Sequence, residues 1–461
     1  MFDCIVKDGT VVFPDLTKEA DLACKDGKIV AINSPGSLSR AKHVINAKGC
    51  YVLPGAIDPH VHVHWPFLAA TTADDYAIAS RAAALGGTTT FIDFAHPKMG
   101  ATPVERINNR LSEIDNNSVI DFSLHCVISN REPETLEQID QLVKRGITSF
   151  KLYMTYSRRK IMADDSILYF VMKKAAELGA LVCVHAENGP VGDAIEAQFI
   201  AEGKTKAVDF PRHKPNFVEA EAVERAIFWA KQTGAKLYFF HLSTSEGLEI
   251  IRDAQNKGFP IAAETCPQYL LLNDSVFAKP GIGHRFICSP PIRSTKDNDT
   301  LWEGIKEGVI SAIGTDHCAF TIAQKDIGID NFVDVPNGLP GIETRLSLIW
   351  TEGVGKNRIN PQQLVRILSY NPARIFGLFP KKGCIAIGSD ADLVVFNPSV
   401  QWILTQSQTN MSVDWIPYEG WKMQGKVIHT IVQGNVIVED GHYIESSIKG
   451  EFLQRHIDQT N

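Results

Sequence analysis

Between Tyr51 and Gly314 the chain repeats one unit eight times: a short apolar run, then a longer amphipathic stretch. The runs cover 51–57, 89–94, 120–128, 149–154, 181–185, 236–241, 260–265 and 309–314. Segments with helical periodicity lie between them, for example 165–178, 218–233 and 246–257. Parallel strands need a long crossover, usually a helix, and this repeat supplies one each time. The pattern predicts an α/β fold, a (β/α)8 (TIM) barrel. In such a barrel the active site sits at the C-terminal ends of the strands.

The two ends of the chain read differently. Residues 1–50 form short strand-like runs with turn signals, including the hairpin-like Asp8-Gly9 and Asp26-Gly27. The same texture returns in 391–396 and 427–438. Neither end has enough strands for a stable unit, so a small β-sandwich built from both is expected. The domains expected are 1–53 with 379–450 as the sandwich, 54–378 as the catalytic barrel, and 451–461 as a C-terminal tail.

Of the 461 residues 44% are hydrophobic, enough for a large core, and the net charge is −7. An acidic balance without a long basic run argues against a nucleic-acid partner. Arg158-Arg159-Lys160 is read as a solvated loop. The apolar stretch at the N-terminus is too short for a signal peptide, and no run approaches a membrane span. Nine scattered cysteines, odd in number and without Cys-x-x-Cys, fit reduced thiols in a cytoplasmic protein.

Polar residues at the ends of the apolar runs carry the chemistry. His60 and His62 stand two apart, so in a strand both imidazoles face one side and can bind one metal ion. Lys151 lies inside Ser149-Phe150-Lys151-Leu152, where an ammonium is costly. Two readings stand from the residues alone. The side chain snorkels, or burial lowers its pKa until the free amine adds carbon dioxide and the carbamate bridges two metals. His185 and His241 singly read as core histidines; at two strand ends of one barrel they favour ligation. Asp316 reads as a metal ligand and proton carrier or as a helix N-cap. His317 should point away, and His64, two residues after His62, is taken as a surface or pocket polar residue. Nucleotide-binding glycine loops and Gly-x-Ser-x-Gly are absent from the sequence.

These motifs resemble the amidohydrolase superfamily, and within it the cyclic amidases, the dihydropyrimidinases and hydantoinases. The resemblance spans nearly the whole chain. It rests on Pro54-Gly55-Ala56-Ile57-Asp58-Pro59-His60-Val61-His62, Thr72-Ala73-Asp74-Asp75-Tyr76, the 86–94 stretch, and Ser149 to Tyr156. Val184-His185-Ala186-Glu187-Asn188, the 263–270 stretch, Cys288-Ser289-Pro290-Pro291-Ile292-Arg293 and the 336–343 stretch follow in order. The resemblance implies two zinc ions per chain. His60, His62 and Asp316 would hold the more buried one, His185 and His241 the other, with a carboxylated Lys151 and a hydroxide bridging them. It further implies that Tyr156 stabilises the oxyanion and that the backbones of Ser289 and Asn337 grip the ring's amide edge. Asp316 would pass a proton to the ring nitrogen, giving an N-carbamoyl amino acid from a dihydropyrimidine or a 5-substituted hydantoin. The partner implied is thus a small cyclic amide or ureide. A homotetramer or homodimer is implied too, with the tail past Gly450 joining subunits.

The chain departs from the hydantoinase pattern after the histidine pair, at Val63-His64-Trp65-Pro66-Phe67-Leu68-Ala69, and carries Tyr153 where many relatives have Phe. A dihydroorotase would have Arg where His64 stands. An allantoinase would show Glu-Pro-Gly near Trp65-Pro66-Phe67, yet an allantoinase-like ureide hydrolase stays as the alternative. The collapsin response mediator proteins, scaffold relatives without the ligands, fit less well because the ligand set here is complete.

Overall fold

The computed structural model describes residues 1–67, 70–445 and 448–457. Eight strands form one parallel sheet: β1 (Ala56–Val61), β2 (Thr88–Ala95), β3 (Asp121–Val127), β4 (Ser149–Tyr153), β5 (Leu181–His185), β6 (Lys236–Phe239), β7 (Ile261–Thr265) and β8 (Ala312–Ile313). Each pairs with its successor in sequence. Helices cover the outer face while side chains fill the interior. β2, β3 and β4 are therefore buried along their whole length, polar residues such as Asp93, His125 and Lys151 included.

The ring between β8 and β1 is closed largely by side chains. Arg345, 1% exposed, donates to the carbonyls of Ile57 (3.0 Å) and Ile313 (2.8 Å). Asp58 accepts from Thr315 N (3.1 Å) and Thr315 Oγ1 (2.7 Å). Higher up, His62 N donates to His317 O at 2.7 Å. The expected eighth strand, 309–314, shrinks to two residues because these contacts replace ladder bonds on its open side. Gly314 belongs to the same squeeze: a Cβ there would meet Glu264 Oε2 at 2.9 Å and His60 Cβ at 3.0 Å.

The expected first strand, 51–57, is divided. Tyr51–Pro54 leaves the barrel and pairs with Phe2–Val12 and Leu393–Leu404, joining the two ends of the chain in one nine-stranded mixed sheet. Gly55 N donates to Asp392 O, so the division coincides with the crossing between the two sheets. Asp26-Gly27 does make a tight hairpin turn, with both residues at positive φ. Asp8-Gly9 does not. It is a bulge inside the continuous strand Phe2–Val12, where a Cβ on Gly9 would lie 2.5 Å from Val52 Cγ2.

The described part of the tail past Gly450 packs on its own barrel. Gly450 N donates to Ser118 O, Phe122 N to Glu451 O and Leu453 N to Phe122 O. Arg455, 2% exposed, reaches Ser149 Oγ at 2.7 Å. These partners lie at or just before the N-terminal ends of β3 and β4, so the tail closes the lower face of the barrel. Residues 458–461 lie outside the described residues. No described helix is long and apolar enough to cross a membrane.

Candidate metal centre and active site

Five strands bring the polar groups together, four at or just past their C-terminal ends and β4 from its middle. His60 lies in β1 and His62 one residue past it, with Nε2 atoms 3.2 Å apart. Asp316, just after β8, places Oδ1 3.1 Å from His60 Nε2 and 3.2 Å from His62 Nε2. His185 ends β5 and His241 follows β6, with ring centroids 4.3 Å apart. The His241 ring stands 5.3 Å from the His60 ring. Lys151, in the middle of β4, points inward on the same face as Tyr153 and is 0% exposed. Its Nζ lies 4.0 Å from the Phe240 ring centroid and has no hydrogen-bond partner among the described residues. These side chains line one cavity of about 20 Å³, together with Trp65, Phe67, Tyr153, Tyr156, Ser289, Cys318 and Asn337. Tyr156 (φ 68°), His241 (39°) and Asp316 (50°) all sit in the left-handed region, which is costly for such residues. Strain of this kind persists where the surroundings impose it, and it clusters at working sites.

Carboxylates stand behind the histidines. Glu264, near the end of β7 and 0% exposed, lies 2.5 Å from His60 Nδ1 and accepts from Tyr238 Oη at 2.8 Å. Glu187 lies 2.5 Å from His185 Nε2 and accepts from Lys214 Nζ and Ser289 Oγ, each at 2.9 Å. Such pairs fix an imidazole's tautomer and orientation. His125 donates from Nε2 to Pro59 O (2.9 Å), holding the backbone just before His60. Glu219 accepts from the amides of Ser243 and Thr244, each at 3.0 Å, and so anchors the loop after His241.

Burial and charge tune the groups. Burial opposes a charge on His60, but Asp316 and Glu264 outweigh it and raise the pKa to about 9. Burial dominates at His62 and His185, whose pKa values fall to about 4, and at His241, which falls well below its usual range. Burial would raise Asp316, yet His60 and His62 hold its carboxyl well below the usual range. Burial pushes Lys151 down to about 7, so near neutral pH much of it is free amine.

These residues fit a pair of divalent cations. His62, His185 and His241 as neutral imidazoles and the ionised Asp316 are the donors such ions need; His60, held protonated here by Asp316 and Glu264, would give up its proton on binding a cation. The orphaned Lys151 Nζ between the two histidine pairs is costly as it stands, and a carbamate on it would supply the anionic oxygens that a bridge requires.

Other residues lie elsewhere than the cluster. His317 turns away and meets Asp74 Oδ2 at 2.9 Å. The i+2 series from His62 ends at a turn, leaving His64 exposed at φ 45°. Leu68 and Ala69 of the divergent loop lie outside the described residues. Glu264, Glu187 and His96, whose Nε2 is 3.2 Å from His62 Nδ1, received no role from the sequence. Glu264 carried the signal used for the others, a charged residue at the end of an apolar run.

Comparison with known proteins places this architecture. The model of the amidohydrolase family matches residues 51–437. The chain is 40% identical over 454 residues to the D-hydantoinase of Geobacillus stearothermophilus, covering 98% of this chain and 96% of that one. It is 38% identical over 457 residues to a D-phenylhydantoinase of Escherichia coli, covering 98% of each. Among solved structures it superposes on a dihydropyrimidinase from Brevibacillus agri with a TM-score of 0.96, at 38% identity and 99% coverage of both chains.

Proposed function

The chain belongs to the amidohydrolase family, and from that membership we propose that it is a metal-dependent cyclic amidase. The reaction is hydrolytic opening of the cyclic amide of a dihydropyrimidine or a 5-substituted hydantoin to an N-carbamoyl amino acid. The observation that carries this reading is the convergence of His60, His62, Lys151, His185, His241 and Asp316 on one buried cavity from five strands.

His60, His62 and Asp316 would hold one zinc ion and His185 with His241 a second, with Lys151 as a carbamate between them. Bound there, the metals would supply Lewis acidity toward the ring carbonyl and acidify water from a pKa of about 15.7 to about 7.

The chain's own groups do the rest. Asp316, ionised and aimed into the cavity, takes the proton of the attacking water and delivers it to the ring nitrogen as the C–N bond breaks. Burial pushes the Tyr156 phenol above its usual pKa, so it stays protonated and donates to the carbonyl oxygen as charge develops there. The backbones of Ser289 and Asn337, which line the same cavity, hold the amide edge of the ring. Trp65 and Phe67 exclude water. A cavity of about 20 Å³ admits about one water, so a ring enters only if side chains lining it move. Nine unpaired thiols support a reducing, cytoplasmic setting. Light scattering reads whether the chain assembles as the homotetramer or homodimer expected.

The test is a panel of dihydrouracil, hydantoin, phenylhydantoin and allantoin followed by ring-opening absorbance, with metal analysis alongside. Two zinc ions per chain and turnover of the first three are expected. Lys151→Ala should lose both metal and activity, with short carboxylic acids restoring part of each. Full activity of that variant without additives, or a metal-free active chain, would sink the reading.

A further inference from the structure

Lys325 is a buried cation that the proposed chemistry leaves unused. It lies in the short helix Ile322–Asp326 beyond β8 and is 0% exposed. Among the described residues no carboxylate pairs with it. The adjacent Asp326 is engaged by His284 at 2.7 Å and Arg285 at 3.6 Å. An ammonium buried without a counter-ion is expensive, and isosteric apolar side chains would fill the same space more cheaply. What Lys325 does instead is donate to two main-chain oxygens, Ile287 O at 2.8 Å and Pro336 O at 2.7 Å.

Those oxygens belong to the two loops that face the metal cluster. Ile287 stands two residues before Ser289, and Pro336 immediately before Asn337. Ile287 O also accepts from Gly338 N at 3.1 Å, so it uses both lone pairs to tie the loops together. A trans peptide is planar, so a bond to Pro336 O fixes the whole Pro336–Asn337 plane and with it the direction of the Asn337 N–H. The Ser289 side chain is held separately, by Lys214 at 2.8 Å and Glu187 at 2.9 Å. The Lys325 bridge and the Gly338 bond together set the spacing of one loop from the other at this point.

We propose that Lys325 is a positioning residue for substrate: it clamps the 287–289 and 336–338 segments at the separation that lets the main chains of Ser289 and Asn337 grip the amide edge of the ring. This rests on the cyclic-amidase reading above. It assigns Lys325 to ground-state recognition, not to metal binding or proton transfer.

The experiment compares the wild type with Lys325→Met, which keeps length and loses every donor, and with Lys325→Gln, which keeps an amide donor. Removing a grip made equally in ground and transition states raises KM and spares kcat. Lys325→Met should raise KM for dihydrouracil by about tenfold or more with kcat within about threefold. Zinc per chain should be unchanged, and amide hydrogen exchange should quicken in 286–290 and 335–339. Lys325→Gln should fall between. A folded, zinc-loaded Lys325→Met with wild-type KM overturns the proposal, as does a loss confined to kcat and accompanied by metal loss. If the Met variant does not fold, the same split in Lys325→Gln decides. A wild type inactive on every cyclic ureide removes the functional reading and this inference with it; an active wild type with an unaffected variant removes the inference alone.

Discussion

A charged side chain sealed away from solvent reports on stability as well as on chemistry, and Lys325 allows the two to be separated. Burial pushes its pKa from 10.5 to about 7. Below about pH 7 both folded and unfolded chains carry the ammonium, and the folded state bears the whole burial penalty. Between about 7 and 10.5 the unfolded chain holds a proton that the folded chain has shed. Stability contributed through this group therefore rises with pH across that window, by up to about 1.4 kcal/mol per pH unit for one proton. Urea unfolding from pH 7 to 9 should show that extra slope in the wild type and lack it in Lys325→Met; equal slopes would mean the lysine titrates normally. Tyr156 gives a second test. Its phenol is proposed to act only as charge develops, so Tyr156→Phe should lower kcat by about 10²–10³ while zinc content stays constant. A loss seen only in KM would make it a binding group instead.

Among the elements, the seam between β1 and β8 departs furthest from ordinary strand pairing. Arg345 reaches across it to Ile57 O, Ile313 O and, at 3.1 Å, Thr88 Oγ1. Asp58 lies 3.6 Å from the same guanidinium. Removing the arginine leaves two buried carbonyls and a buried carboxylate short of partners. Arg345→Met should cost roughly 3–5 kcal/mol in denaturant unfolding, and a variant within about 1 kcal/mol of wild type would mean the backbone closes the ring unaided. The seam also explains why the eighth unit is harder to bound than the others. Its apolar run, 309–314, has the composition of a strand, but its neighbour across the gap presents side chains rather than a free ladder.

In the whole molecule the C-terminal part of the chain docks in two places. Tyr51–Pro54 pairs with Leu393–Leu404 in the mixed sheet, and the segment from Gly450 runs under the barrel. Lys382 draws the two parts together, contacting Asp121 at the start of β3, Asp390 at 2.8 Å and Asp392 at 2.7 Å. Ending the chain at Lys449 removes Arg455 and uncovers the lower ends of β3 and β4. That deletion should lower the melting temperature by several degrees. An unchanged transition would show that the docked tail contributes nothing to the barrel.

The fold and the outline of the site were legible because they follow from local rules. Strand and helix periods, and polar residues closing apolar runs, are written along the chain, so the barrel and the candidates His60, His62, Lys151, His185, His241 and Asp316 could be picked out, though the residues alone left the roles of Lys151 and Asp316 open. The side chains that orient this set could not. Glu264 and Glu187 matter because β7 and the segment after β5 arrive beside particular imidazoles, and Arg345 because the start of the helix Arg345–Ile349, far along the chain, meets the seam. The same holds for Lys325, whose two acceptors, Ile287 and Pro336, are brought together only by folding. Periodicity fixes which face of a strand a residue occupies; how closely two distant segments approach is set by packing across the interior, and the partners of buried charges are chosen there.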